Sequence, residues 1–296
     1  MKRNLLLLLC CLSLPASAIE VTLGQGSFTS TASLKGLMKA DIDLSTVSLS
    51  VAQPATPVGQ LPVLWSARLE LFQSGFVNQA TDFASQPVST DIPLLGSSID
   101  DLAATLTPIP VPADYRVYGI DLDVRLDWPL IMNNKGYIRL GINSGLTLPF
   151  METRNMGRDA NVFLDLLETT STSIRSYKLG PAISVSWAAT PAIRLQGEWV
   201  VNIQRGTLEN DLLGSGIDIE GRYTRFDAGI RIQPRQWPHY LQWLENGYLL
   251  AGYRATRWDY DKASFSFRQA SLTIPAILDM DFTQSTIYLG LGVSFR

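Results

Sequence analysis

Asp121 and Asp123 stand two residues apart in a run from Tyr118 to Trp128 that also holds Arg125 and Asp127. In an extended chain, side chains two apart share a face. Two carboxylates so placed can divide the work of general acid and general base. Arg125 continues the same face, and pairing with its guanidinium explains the carboxylates better than proton transfer does. The remaining chemical inventory is thin. The single histidine, His239, sits between Pro238 and Tyr240 and reads as an interface residue rather than a base. No spacing of His, Cys or acids fits a metal, and no Gly-rich phosphate loop leads into a helix. No catalytic, cofactor-binding or metal-binding residue is assigned, and no cofactor is expected.

The elements that carry these charges read as strands. Within 115–128, Tyr118, Ile120, Leu122, Val124, Leu126 and Trp128 share one face, while Asp121, Asp123, Arg125 and Asp127 share the other. Within 192–206, Ile193, Leu195, Trp199, Val201 and Ile203 oppose Arg194, Gln196, Glu198, Asn202 and Gln204. Such period-two alternation marks a sheet with one apolar face. Extended along the chain, it places Arg68, Glu70, Asp121, Asp123, Arg125, Asp127, Arg139, Lys178, Arg194, Glu198, Arg225, Asp227, Arg231 and Arg254 on the polar face.

That pattern fits a soluble antiparallel sheet with its charges in water. It equally fits an inside-out barrel with its apolar face in lipid and its charges in the lumen. The barrel is favoured by Trp128 and Trp187, which end their apolar stripes where interfacial aromatics belong. The strand lengths agree, being near the 9–11 residues that a tilted membrane strand needs, plus extensions. We read ten strands, at 19–29, 43–52, 63–73, 115–128, 136–148, 173–188, 192–206, 219–233, 247–261 and 281–296. Eight or twelve remain alternatives, because the first two are weakly patterned.

An even strand count puts both termini at the periplasmic rim. Short turns are then expected near 53–62, 129–135, 189–191 and 234–246. Outer loops are expected near 30–42, 74–114, 149–172, 207–218 and 262–280. In the long 74–114 loop, Ser98 to Leu106 has the pattern of a short helix. In the 234–246 connector, Trp237, Tyr240, Leu241, Trp243 and Leu244 suit a helix lying at the membrane interface. Trp237 and Trp243 thus join Trp128 and Trp187 as interface anchors.

The ends of the chain point to the same compartment. Residues 1–18 carry Lys2 and Arg3, an apolar run from Leu5 to Leu14 and a small-residue Ala16-Ser17-Ala18 site, which together predict a signal peptide. Its removal would leave 19–296 as one barrel domain without cysteine, excluding a disulfide or thiolate-metal scaffold. The 24 Lys and Arg less Lys2 and Arg3 leave 22 against 27 acids, a balance that does not favour nucleic acid. At the other end, Leu289, Leu291, Val293 and Phe295 alternate with Tyr288, Gly290, Gly292 and Ser294.

Gly290, Val293 and Phe295 resemble the C-terminal insertion signal of bacterial outer-membrane β-barrels, although Arg296 follows the aromatic where members commonly end on it. The stretches Leu61 to Leu71, Asp279 to Phe282 and Tyr288 to Gly292 resemble a family of small Gram-negative outer-membrane barrels of unassigned role. The resemblance implies an all-β, antiparallel up-and-down transmembrane barrel. Its partners would be outer-membrane lipid and lipopolysaccharide, and the barrel-assembly machinery during insertion. Known enzymatic barrels depend on a histidine, which in the ten-stranded omptin proteases acts with acidic residues at the outer rim, whereas the expected topology puts His239 in a periplasmic turn. The expected role is therefore non-enzymatic, structural or surface-interacting, with a charged and largely plugged lumen. A narrow channel for a small apolar or anionic solute is the alternative, and a cell-surface lipid or peptide hydrolase the third reading.

Overall fold

The computed structural model describes residues 18–34, 38–83, 109–154, 169–210, 216–234, 246–267 and 270–295. They form eleven strands: β1 (Ala18–Leu34), β2 (Met38–Pro57), β3 (Leu64–Ser74), β4 (Val77–Phe83), β5 (Ile109–Asn133), β6 (Gly136–Arg154), β7 (Thr169–Ala188), β8 (Ile193–Asn210), β9 (Ile217–Ile232), β10 (Gly247–Phe267) and β11 (Ala270–Ser294). Sequence neighbours pair antiparallel, and β1 pairs β11 with Ala18 opposite Ser294. β3 and β4 lie end to end along β5, which closes the ring as a ten-position antiparallel barrel. All ten strands read from the alternation are present. Their outer ends run further than expected: β1 and β2 reach Leu34 and Met38, and β10 and β11 reach Phe267 and Ala270. The segment 74–114 is therefore partly strand, with β4 and the start of β5 inside it.

Prolines mark two of the irregularities, and a third falls on β10 between Tyr260 and Lys262. The β5–β6 register slips between Pro129 and Ile131, and the β2–β3 register slips beside Pro54, because proline cannot donate to the ladder. At the β5–β6 turn, Asn133 Oδ1 accepts the backbone N–H of Lys135 and Gly136, both at 2.9 Å. The expectations for residues 1–17, for the 98–106 helix and for the 236–245 interface helix, with Trp237, His239 and Trp243, fall outside the described residues.

Each strand changes its pattern partway along. On β9, Ile232, Ile230 and Phe226 point outward near the terminus-bearing rim while Arg231, Asp227 and Arg225 point inward. Further out, Arg222, Glu220 and Asp218 face outward, and Tyr223, Ile219 and Ile217 are buried inside. β5 changes in the same way: Trp128, Leu126, Ile120 and Tyr118 give way to Arg116, and Asp121 to Asp127 give way to Val117 and Tyr115. β2 passes from exposed Val51, Leu49 and Val47 to exposed Ser45 and Asp43, with Leu44 and Ile42 buried. The barrel is thus inside-out in its lower part, with an apolar exterior, and has an ordinary apolar core above. A 25-residue strand such as β11 rises roughly 60 Å at a tilt of about 40°, against an apolar band about 25 Å tall. The upper part stands in water, where a conventional core is the stable arrangement.

Candidate functional site

Two layers of side chains cross the lumen. The lower layer gathers eleven of the fourteen inward charges into one connected network. Lys178 on β7 bonds Asp121 on β5 and lies 2.9 Å from Asp123. Arg225 on β9 spans the lumen to Asp123 and also holds Glu198, which Arg125 reaches in turn. Arg125 lies 3.0 Å from Asp127. Arg68 is 3.1 Å from Asp123 and 3.6 Å from Asp227. Arg254 on β10 closes the set, at 2.7 Å from Asp227 and 2.8 Å from Glu70 on β3. Several of these contacts join strands on opposite walls of the ring, which binds the barrel across its diameter.

Hydrogen bonds complete the carboxylates. Tyr223 Oη donates to Asp121 at 2.7 Å, Asn143 Nδ2 to Asp123 at 3.0 Å and Tyr288 Oη to Asp227 at 2.6 Å. Asp121, Asp123 and Lys178 are 2 to 3% exposed. Charges this deep persist only when paired and hydrogen-bonded, since losing one partner costs about 3–5 kcal/mol. Asp121 and Asp123 thus stand side by side, the first bonded by Lys178 and the Tyr223 hydroxyl, the second by Lys178, Arg68, Arg225 and the Asn143 amide.

The upper layer is aromatic. The Phe28 ring stacks on Phe72 at 6.0 Å and on Phe282 at 5.9 Å, and Trp258 lies 6.1 Å from Phe72 and 5.9 Å from Tyr223. Trp258 is fully buried and its Nε1 donates to Thr147 Oγ1 at 3.0 Å. Gly119 makes room, because a Cβ there would stand 2.4 Å from Phe72 Cζ. Above the rings, Ile42, Leu44, Val117, Ile174 and Leu208 continue the apolar filling.

Three of the fourteen charges stand apart from the network. Arg139, Arg194 and Arg231 line a cavity of about 760 Å³ beneath the charged layer, open between the turns at the terminus-bearing rim. Arg139 lies over the Tyr137 ring at 3.5 Å and Arg231 over the Tyr248 ring at 3.3 Å. Glu20, which the sequence reading leaves out of the lumen, faces the same cavity and accepts a 2.7 Å hydrogen bond from Tyr248 Oη. The inward tyrosines and Trp258 were equally missed, although they occupy the same parity as the charges.

Of the insertion-signal residues, Gly290 faces inward, where a Cβ would stand 2.3 Å from the Val21 carbonyl. Val293 pairs Ile19 on the outer face, and Phe295 lies exposed just past the strand. Trp128 and Trp187 are 40% and 55% exposed on the outer face, near the lower rim. No helix among the described residues is long and apolar enough to cross a membrane, and none of their His, Cys, Asp and Glu groups is arranged to hold a metal.

A closed ten-position barrel with an apolar belt around a charged lumen is an outer-membrane β-barrel protein of the Gram-negative type. The outer membrane protease OmpT from Escherichia coli shares the architecture, at 9% identity and a TM-score of 0.53 over 96% of this chain and 98% of that one. That likeness shows the fold and carries no chemistry. The translocator domain of the autotransporter NalP from Neisseria meningitidis aligns over 99% of this chain and 94% of that one, at 12% identity and a TM-score of 0.37. The attachment protein Ail of Yersinia pestis aligns over 93% and 98%, at 11% identity and a TM-score of 0.28. No family model matches the chain, and no curated protein matches it.

Proposed function

We propose that this chain is a non-enzymatic outer-membrane barrel, closed to solutes, whose role is structural or carried by its outer end at the cell surface. The observation that carries this reading is the double closure of the lumen, a salt-bridged layer beneath an aromatic one. Each layer joins opposite walls, so a solute path requires both to break at once. The carboxylates that proton-transfer chemistry would recruit, Asp121 and Asp123, are buried and bonded to Lys178, Arg225 and Tyr223.

Lipid and lipopolysaccharide are the partners this exterior fits. The apolar belt ends upward at Leu23, Val47, Tyr118, Tyr177, Ile203, Tyr253 and Ile287, all exposed. Just above it stand Arg175, Arg205 and Arg257, outward and more than half exposed, at the height where anionic headgroups of the outer leaflet lie. The cavity below the charged layer is the one observation favouring a channel, and it ends at that layer.

Two assays on the refolded protein test the reading. Liposomes carrying it should not swell in small sugars or amino acids, and it should cleave neither a peptide library nor phospholipid. Swelling above that of empty liposomes, or turnover abolished by Asp121→Asn, would overturn it.

A further inference from the structure

Arg194 on β8 and Arg231 on β9 are direct cross-strand partners, and both face the cavity at the periplasmic rim. Like charges opposite each other in a sheet repel. Neither has an ion pair with any described residue. Arg139 lines the same cavity from β6. It is nine-tenths buried, and its Nε has no hydrogen-bond partner among the described residues. The network above has one carboxylate in excess, six acids to five bases, each of them already engaged, and so falls short of balancing three guanidinium groups. Glu20 faces the same cavity and is itself held by Tyr248.

Three guanidinium groups directed into one solvent-open space present forked donors that match carboxylate and phosphate oxygens bidentately. The aromatic rings of Tyr137 and Tyr248 fix two of them in place. A volume of about 760 Å³ lies in the range of small-molecule sites and exceeds what a single ion needs. We propose that this vestibule binds a small multivalent oxyanion, an organic solute bearing phosphate or paired carboxylate groups, which enters from the periplasm. The bound anion would lie between Arg194 and Arg231 with Arg139 above, and offset their mutual repulsion. Binding there needs no passage through the barrel, so it is compatible with a closed lumen.

Calorimetric titration of the full barrel in a nonionic detergent at low salt tests this, with inorganic pyrophosphate and citrate as probes and sucrose as the uncharged control. Saturable binding of one or both anions, and none of sucrose, is expected. The tighter of the two identifies the preferred group. The pair of changes Arg194→Gln and Arg231→Gln should weaken binding at least tenfold, while Arg222→Gln, on the outer surface, should leave it unchanged. Arg139→Gln alone should weaken it several-fold, and serves if the double variant loses the heat-modifiable migration of a folded barrel. No saturable binding of either anion, or equal binding by folded variants and wild type, would overturn the proposal.

Discussion

Trp258 on β10 donates its indole N–H to the Thr147 hydroxyl on β6 at 3.0 Å, a bond that crosses the lumen. Phe28, Phe72 and Tyr223 pack around the same ring, so this one side chain joins five strands at the base of the apolar filling. Trp258→Ala is expected to cost about 3–5 kcal/mol, the range for deleting a large buried aromatic. Trp258→Phe should cost less, with the unpaired Thr147 hydroxyl accounting for about 1–3 kcal/mol. Urea unfolding of both variants in detergent or liposomes gives the comparison.

Lys178 is the cation shared by Asp121 and Asp123. Lys178→Met leaves Asp121 without a cation in a nearly solvent-free layer, while Asp123 keeps Arg68 and Arg225. A loss of about 3–5 kcal/mol is expected. Adding Asp121→Asn should recover part of it, because the second change removes a charge that the first left uncompensated. A double-mutant cycle by equilibrium unfolding measures the coupling, and additive losses would contradict the pairing.

The two glycines of the closing strand meet different neighbours, and a Cβ on Gly290 would stand against the Val21 carbonyl. In the structure Tyr248 fills the space over Gly292, where a Cβ would stand 2.2 Å from its ring. Tyr248 in turn supports Arg231 and bonds Glu20. Gly292→Leu must displace Tyr248, and is expected to slow folding and shift the heat-modifiable band toward the unfolded position. Gel migration after timed refolding reads this directly.

The height of the membrane can be found by scanning one strand. Leu289 is 68% exposed on the outer face of β11, and Thr283 lies six residues above it on the same face. Leu289→Arg should cost about 2–4 kcal/mol, as a cation placed in the apolar belt does. Thr283→Arg should cost no more than about 1 kcal/mol, because that level stands in water and only the facing Arg257 opposes the new charge. Equal costs at the two positions would contradict the change of pattern along the strands.

Much of this architecture is legible in the sequence. The ten strand positions follow from alternation, and the parity of Asp121 to Asp127 or of Arg225 to Arg231 places those charges in the lumen. The upper barrel is less legible, because its alternation has the opposite phase. A reading tuned to apolar-out, polar-in loses its pattern soon after Arg222 or Arg116 turns up on the outer face, so the strands it begins at 219 and 115 start at Ile217 and Ile109 in the structure. It therefore assigns loops to segments that are strand, such as Ser30–Leu34 and Asn210. The signal was present: Ile217 and Ile219 alternate with Asp218 and Glu220 as cleanly as the lower part does, in reverse. The choice of partners inside the lumen was not legible, since Arg254 meeting Glu70, or Arg225 meeting Asp123, depends on the stagger of strands across the ring. Glu20 was missed because β1 is otherwise patterned by small residues.

The central claim is that two stacked layers close the lumen, and conductance across planar bilayers tests it most directly. Wild-type barrel should show no reproducible current steps. Combining Lys178→Ala with Trp258→Ala, which cuts both layers, should produce steps of uniform size if the variant retains heat-modifiable migration. Uniform, reproducible steps from the wild type would contradict the account.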